Sequence, residues 1–245
     1  MKINVLGVRF DNVTPEEAVA RGVELMAQPG FHYVVTPNPE FVLAAEKDAQ
    51  FRQVLNGADL VIPDGIGVIY SAKLLGTPLK SRVPGIDFSA GMLAHMDKVG
   101  GRVFLLGAKP GVAEEAGRRI KAQFPGLTIC GTHDGYFKDD APVVQIIKDA
   151  CPDLLFVCLG APRQEKFMAE HGPETGAKLA MGLGGSLDVY AGAVERAPAA
   201  WQKANMEWAY RLLKEPKRIG RMAKLPLVLV KAAKVRLTGG AKEDA

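Results

Sequence analysis

The sequence has no apolar run near the roughly 20 residues that span a bilayer, so the chain is not expected to cross a membrane by itself. Its N-terminus, MKINVLGVRF, lacks the long apolar core of a secretory leader. There are only three cysteines, Cys130, Cys151 and Cys158. None has a partner at metal-ligand spacing. Cys151 and Cys158 lie in or beside the apolar run CPDLLFVCLG, which predicts buried, reduced thiols and a cytosolic protein. The four histidines, His32, His95, His133 and His171, are scattered without metal spacing. No Gly-x-Ser-x-Gly elbow occurs, which argues against a serine hydrolase. Neither a Walker loop nor a full G-x-G-x-x-G fingerprint is present. Asp-x-Asp is missing too; that pair often holds Mg²⁺ or Mn²⁺ on a diphosphate.

The 245 residues suffice for one large domain, or one domain with an appendage. Apolar content of 48% with 24% charge is that of a packed globular protein rather than a disordered one. Charge is unevenly placed. From Trp201 to Ala245 there are 11 Lys/Arg against 4 Asp/Glu, a net of +7. The preceding residues hold 20 against 23, a net of −3. A slightly acidic body with a basic tail predicts that the tail meets an anionic surface: phospholipid, nucleic acid or a diphosphate. The tail carries no recognised nucleic-acid motif.

Short apolar runs alternate with helical patterns. Strands are predicted at Lys2–Val8, His32–Val35, Asp59–Ile62, Arg102–Leu106, Leu127–Gly131, Leu154–Leu159 and Ala177–Met181. Helices are predicted at Pro15–Met26, Pro39–Gly57, Gly65–Leu75, Gly85–Lys98, Gly111–Phe124, Ala141–Ala150, Pro162–His171 and Trp201–Leu213. RVFLLG and DLLFVCLG are apolar almost throughout, as strands covered on both faces are. The expected class is α/β: a Rossmann-like, doubly wound, mostly parallel sheet over residues 1–197, with a basic helical appendage over 198–245. Ligands gather at the carboxyl ends of such strands. The segments TPNPE, PDGIG, GAKPG, GTHDGYF, GAPRQE and GLGGSLD all fall there.

Each segment has a functional and a plain structural reading. Gly107 opens GAKPG, whose amides could approach a phosphate, or which is simply a tight turn. Asp64 could act as a general base or cap a helix. Arg82 could grip a phosphate in bidentate fashion or face solvent. Thr36 and Asn38 bring hydroxyl and amide groups to a strand end, as turn and cap residues also do. Gln164 is polar where a purely structural turn needs no polarity. Asp188, after Gly184 and Gly185, could bind a ribose hydroxyl or a uracil N–H, or serve as a cap.

Taken together, the collinear motifs TPNPEF, NGADLVIPDGIGV, RVPGID, LLGAKPG, DGYF, LGAPRQE and GGSLDVYAG resemble glycosyltransferase family 26, the WecG/TagA/CpsF family of N-acetylmannosaminyltransferases. The resemblance runs from Val34 to about Lys224. It implies an inverting transfer of N-acetylmannosamine from a UDP-sugar donor, UDP-ManNAc, to a polyprenyl-diphosphate-linked GlcNAc acceptor. That chemistry belongs to teichoic acid or related surface-polymer synthesis. Asp64 is then the base, and Thr36, Arg82 and Gln164 stand in the catalytic pocket with Asn38 beside them. Gly107 and Tyr136 bind substrate, and Asp188 with Gly184 and Gly185 belongs to the UDP region. Arg211, Arg218 and Arg221 complete the site from the appendage. No cofactor, no metal and no nucleic acid are implied. The protein would sit peripherally on the inner face of the cytoplasmic membrane, and a homo-oligomer stays open. ManNAc uronic acid is an alternative donor within the family. A dinucleotide-dependent oxidoreductase is the alternative from the Rossmann-like pattern alone; it lacks the acidic residue at the expected spacing.

Overall fold

The computed structural model describes residues 1–214 and 224–238, without the side chains of Lys203 and Arg211. The chain begins with an antiparallel hairpin, β1 (Lys2–Val5) and β2 (Val8–Asp11). It then alternates: α1 (Pro15–Ala27), β3 (His32–Val35), α2 (Pro39–Lys47), α3 (Ala49–Asn56), β4 (Leu60–Val61), α4 (Ile66–Leu75) and α5 (Gly85–Val99). Next come β5 (Arg102–Gly107), α6 (Val112–Gln123), β6 (Thr128–His133), α7 (Asp140–Ala150), β7 (Leu154–Cys158) and α8 (Arg163–His171). A last strand, β8 (Leu179–Gly182), precedes α9 (Ser186–Tyr190), α10 (Ala199–Lys203), α11 (Glu207–Lys214) and α12 (Lys224–Leu237).

Six strands form one parallel sheet in the order β4-β3-β8-β7-β5-β6. Both faces are covered, as the apolar runs require. In β5, Val103 and Leu105 enter the core cluster with Phe88, Met92 and Ile120, while Phe104 and Leu106 enter the opposite one with Val143 and Phe167. The period of two along a strand places alternate residues in separate cores. The expected doubly wound α/β class is therefore the observed one.

Three expectations are corrected. Lys2–Val8 is not one strand of the sheet. Leu6 and Gly7 both take positive φ, 52° and 91°, and turn the chain back on itself, with the Gly7 amide donating to Asn4 Oδ1 at 2.8 Å. The predicted helix Pro39–Gly57 is two helices. Asp48 ends α2 and caps α3, its carboxylate accepting from the Phe51 amide at 2.9 Å. Cys151 is exposed at the end of α7; Cys158 is buried, and burial pushes its thiol up to about 12. All three cysteines are free.

The C-terminal segment lies on the sheet domain. Val228 and Ala232 of α12 are fully buried in the cluster that holds Val42, Val68 and Ala72 of α2 and α4. Gly67 makes this approach feasible: a Cβ there would collide with Leu225 and with Pro39. Among the described residues, no helix is long and apolar enough to cross a membrane.

Candidate active site

A cleft of about 870 Å³ opens across the carboxyl ends of the sheet. Every strand of the parallel sheet sends the following loop to its wall: Thr36 after β3, Asp64 after β4, Lys109 after β5, Tyr136 after β6, Gln164 after β7 and Gly184 after β8. Asn205, Glu207, Trp208, Lys224 and Leu225 close it from the C-terminal segment. Thr36, Asn38, Asp64, Arg82, Tyr136, Gln164, Gly184, Gly185 and Asp188 are thus gathered in one concavity. Gly107 is not in that wall. It ends β5 at φ 127°, pressed against the Cys158 backbone so closely that no Cβ would fit, and the adjacent Ala108 and Lys109 face the cleft instead. Arg211 lies on α11. Arg218 and Arg221 lie outside the described residues.

Asp64 is not a helix cap. The cap of α4 is Gly65, at φ 116°, with no side-chain hydrogen bond. The Asp64 backbone is pinned by its amide donating to the Pro37 carbonyl at 3.2 Å, and its carboxylate stands 3.8 Å from Arg82 Nη2. Arg82 reaches this place because the Val83 amide donates to the Pro63 carbonyl at 2.9 Å, tying the two loops together. The guanidinium is not in open solvent: its side chain is 16% exposed, and Nη2 donates to Glu207 Oε2 at 2.6 Å. A carboxylate and a bidentate-capable cation side by side can accept a proton and neutralise a leaving diphosphate, respectively.

Other lining residues also brace the cleft. The Thr36 hydroxyl is buried and donates to the Gly182 carbonyl at 2.9 Å, joining the ends of β3 and β8. Asn38 caps α2, its Oδ1 accepting from the Glu40 and Phe41 amides at 2.8 and 3.4 Å. Gln164 is buried, and its Oε1 accepts from the amides of Gly160 and Gly184 at 3.2 and 3.0 Å. Its Nε2 donates to Glu165 Oε1 at 2.6 Å. One side chain thereby fixes the loops after β7 and β8. Glu165 beside it is buried, with Oε2 lacking a hydrogen-bond partner among the described residues, and burial pushes its carboxyl up to about 7.

The wall built by the segments after β6 and β8 is more open. Gly184 takes φ 53° with space where a Cβ would stand. Asp188 lies in the first turn of α9, whose cap, Gly185, offers no side chain. Tyr136 is 71% exposed on a loop held from behind by Arg163, whose guanidinium donates to the Gly135 and Phe137 carbonyls, each at 2.9 Å. Arg163 also lies 4.2 Å from the Phe137 ring centroid. The sequence reading missed Glu165, Arg163 and Glu207. The first two stand in the LGAPRQE motif, where the polar pair beside Gln164 was a signal. Glu207 offered only an acid in a basic, aromatic-rich helix.

The family model described as "Glycosyl transferase WecG/TagA/CpsF family" matches residues 3–242. A relative in Bacillus spizizenii, named N-acetylglucosaminyldiphosphoundecaprenol N-acetyl-beta-D-mannosaminyltransferase, is 42% identical over 194 residues, 79% of this chain and 76% of its own length. A protein of the same name in Staphylococcus aureus is 36% identical over 239 residues, 96% of this chain and 93% of its own. With the family model matched over nearly its whole length and relatives 36% and 42% identical, the chain belongs to the glycosyl transferase WecG/TagA/CpsF family.

Proposed function

We propose that this chain transfers N-acetylmannosamine from UDP-ManNAc to undecaprenyl-diphosphate-linked GlcNAc, with inversion at the anomeric carbon, in the synthesis of teichoic acid or a related surface polymer. The observation that carries the reading is the pairing of Asp64 with Arg82 at 3.8 Å, at the carboxyl ends of a parallel sheet and opposite the Gly184–Gly185 loop. The names of the relatives in Bacillus spizizenii and Staphylococcus aureus support the choice of sugar and acceptor.

In this reading Asp64 takes the proton of an acceptor hydroxyl as its oxygen bonds to the anomeric carbon. The bond from that carbon to the diphosphate oxygen breaks, and UDP leaves with the electron pair. Arg82 meets the charge developing on the diphosphate, and cationic donors placed there favour the transition state over the ground state. Asp188 and the glycine loop meet the nucleoside, with Tyr136 at the rim. Thr36, Asn38 and Gln164 keep the loops in register. Residues 198–245 act as an appendage that brings Arg211, Arg218 and Arg221 to the diphosphate while resting peripherally on the inner leaflet of the cytoplasmic membrane. Each basic residue near an anionic leaflet contributes about 1 kcal/mol of attraction.

The test is purified protein with a lipid-linked GlcNAc acceptor and a panel of UDP-sugars, with and without EDTA, read by UDP release. UDP-ManNAc is expected to turn over, acceptor-dependently and without loss in EDTA. Turnover of UDP-ManNAc uronic acid instead, or of no UDP-sugar at all, overturns the assignment; inhibition by EDTA overturns the metal-free route.

A further inference from the structure

Glu207 stands apart from the residues that the motifs single out. It belongs to α11, yet it is 5% exposed and faces the cleft. Its Oε2 accepts from Arg82 Nη2 at 2.6 Å, and its Oε1 accepts from Arg196 Nε at 3.3 Å. Arg196 in turn grips Asp87 of α5 with both terminal nitrogens, one of them at 2.8 Å. Arg82 extends the line to Asp64 at 3.8 Å. Five alternating charges thus run Asp87, Arg196, Glu207, Arg82, Asp64, from α5 through the C-terminal segment and back to the base.

We infer that Glu207 is a positioning residue for Arg82: it clamps Nη2, the nitrogen that also lies 3.8 Å from Asp64, and so holds the guanidinium beside that carboxylate. This rests on the role given to Arg82 above. Two features favour a brace over a plug. Glu207 engages Arg82 through Nη2 alone, which leaves the Nη1 edge for a diphosphate. Glu207 is also held on its second oxygen by a cation that is itself anchored, so it is not placed to swing away when ligand arrives. Arg82 Nε is buried without a hydrogen-bond partner among the described residues. Nε does not set the orientation, which is left to the contacts of Nη2, the Glu207 hydrogen bond being the shorter. The consequence is that α11 need not touch substrate to govern turnover.

The test compares Glu207→Gln, Glu207→Asp, Arg82→Ala and the Arg82→Ala/Glu207→Gln double variant in the full-length chain. Turnover of UDP-ManNAc, donor KM and UDP affinity by calorimetry are read on each. Glu207→Gln is expected to lower kcat by about 10²-fold, the scale of a misplaced catalytic group, with UDP affinity changed by less than about threefold. Glu207→Asp keeps the charge and is expected to recover part of kcat. The double variant should be no slower than Arg82→Ala, because both changes remove the same interaction. Wild-type kcat in Glu207→Gln, tighter UDP binding with faster turnover, or multiplied losses in the double variant each overturn the inference. If Glu207→Gln does not fold, Glu207→Asp decides: the shortened reach should still depress kcat at unchanged UDP affinity, and wild-type kcat there overturns the inference. Should Arg82→Ala itself turn over normally, the proposed function fails rather than the brace.

Discussion

Asp64 lies one residue before the glycine that caps α4, so removing its carboxylate costs the helix no cap. Asp64→Ala is therefore expected to melt close to the wild type while losing turnover by 10²- to 10⁴-fold, about the range of general-base catalysis; near-wild-type turnover would remove it as the base. Glu165 makes a different prediction. An acid whose folded value, about 7, lies above its unfolded value, 4.5, stabilises the fold fully below the lower figure and loses that contribution as pH rises through the higher. The loss is on the order of 3 kcal/mol between those limits. Thermal scans at stepped pH should show the wild type weakening from pH 5 to 8 and Glu165→Gln following a flatter line; parallel curves would contradict the buried neutral acid. At this scale the sequence was half legible. Asp64, Arg82 and Asp188 could be picked out because strand-end polarity marks ligand sites. That the Thr36 hydroxyl and Gln164 Oε1 bind the backbone at the end of β8 could not, since those partners are distant in sequence; the cap at Asn38 was open to a local reading.

Among the elements, α11 and α12 matter most. The sequence marks them by charge, yet α12 buries Val228 and Ala232, and α11 supplies the buried Glu207 to two partly buried cations. A chain ending at Ala200 would expose that apolar surface and leave Arg82 and Arg196 without their shared carboxylate. Losing a shared partner leaves partly desolvated charge uncompensated, which destabilises the fold. The truncated chain is expected to melt well below the full-length one and to release no UDP; an unchanged melting temperature would show that the segment contributes nothing to the fold. The alternating pattern gave the parallel strands and most helices, because an apolar run bounded by glycine or proline has few alternatives. It did not resolve the β1–β2 turn, where Leu6 takes a positive φ that Leu seldom adopts. Nor did it resolve the break at Asp48, which interrupts an otherwise continuous helical pattern.

On the scale of the whole molecule, uneven charge makes the proposed membrane contact testable. The sequence from Trp201 onward carries a net +7 and the preceding residues a net −3, so vesicle binding should depend on anionic lipid and fall with salt. Flotation is expected with vesicles containing phosphatidylglycerol at low ionic strength, to weaken strongly by 0.5 M salt as the Debye length shrinks to a few ångströms, and to be absent with neutral vesicles; equal binding to both would sink the electrostatic attachment.

The strand order carries one more consequence. β8, the last strand made, sits between β3 and β7 at the middle of the sheet. Until residues 179–182 have left the ribosome, β4 with β3 and β6 with β5 and β7 are two half-sheets with open inner edges. Assembly therefore waits on a late insertion that joins sequence neighbourhoods more than a hundred residues apart, the kind of non-local closure that makes folding slow. A nascent chain stalled before Leu179 would present paired, unsatisfied edges to chaperones instead of a nearly finished domain.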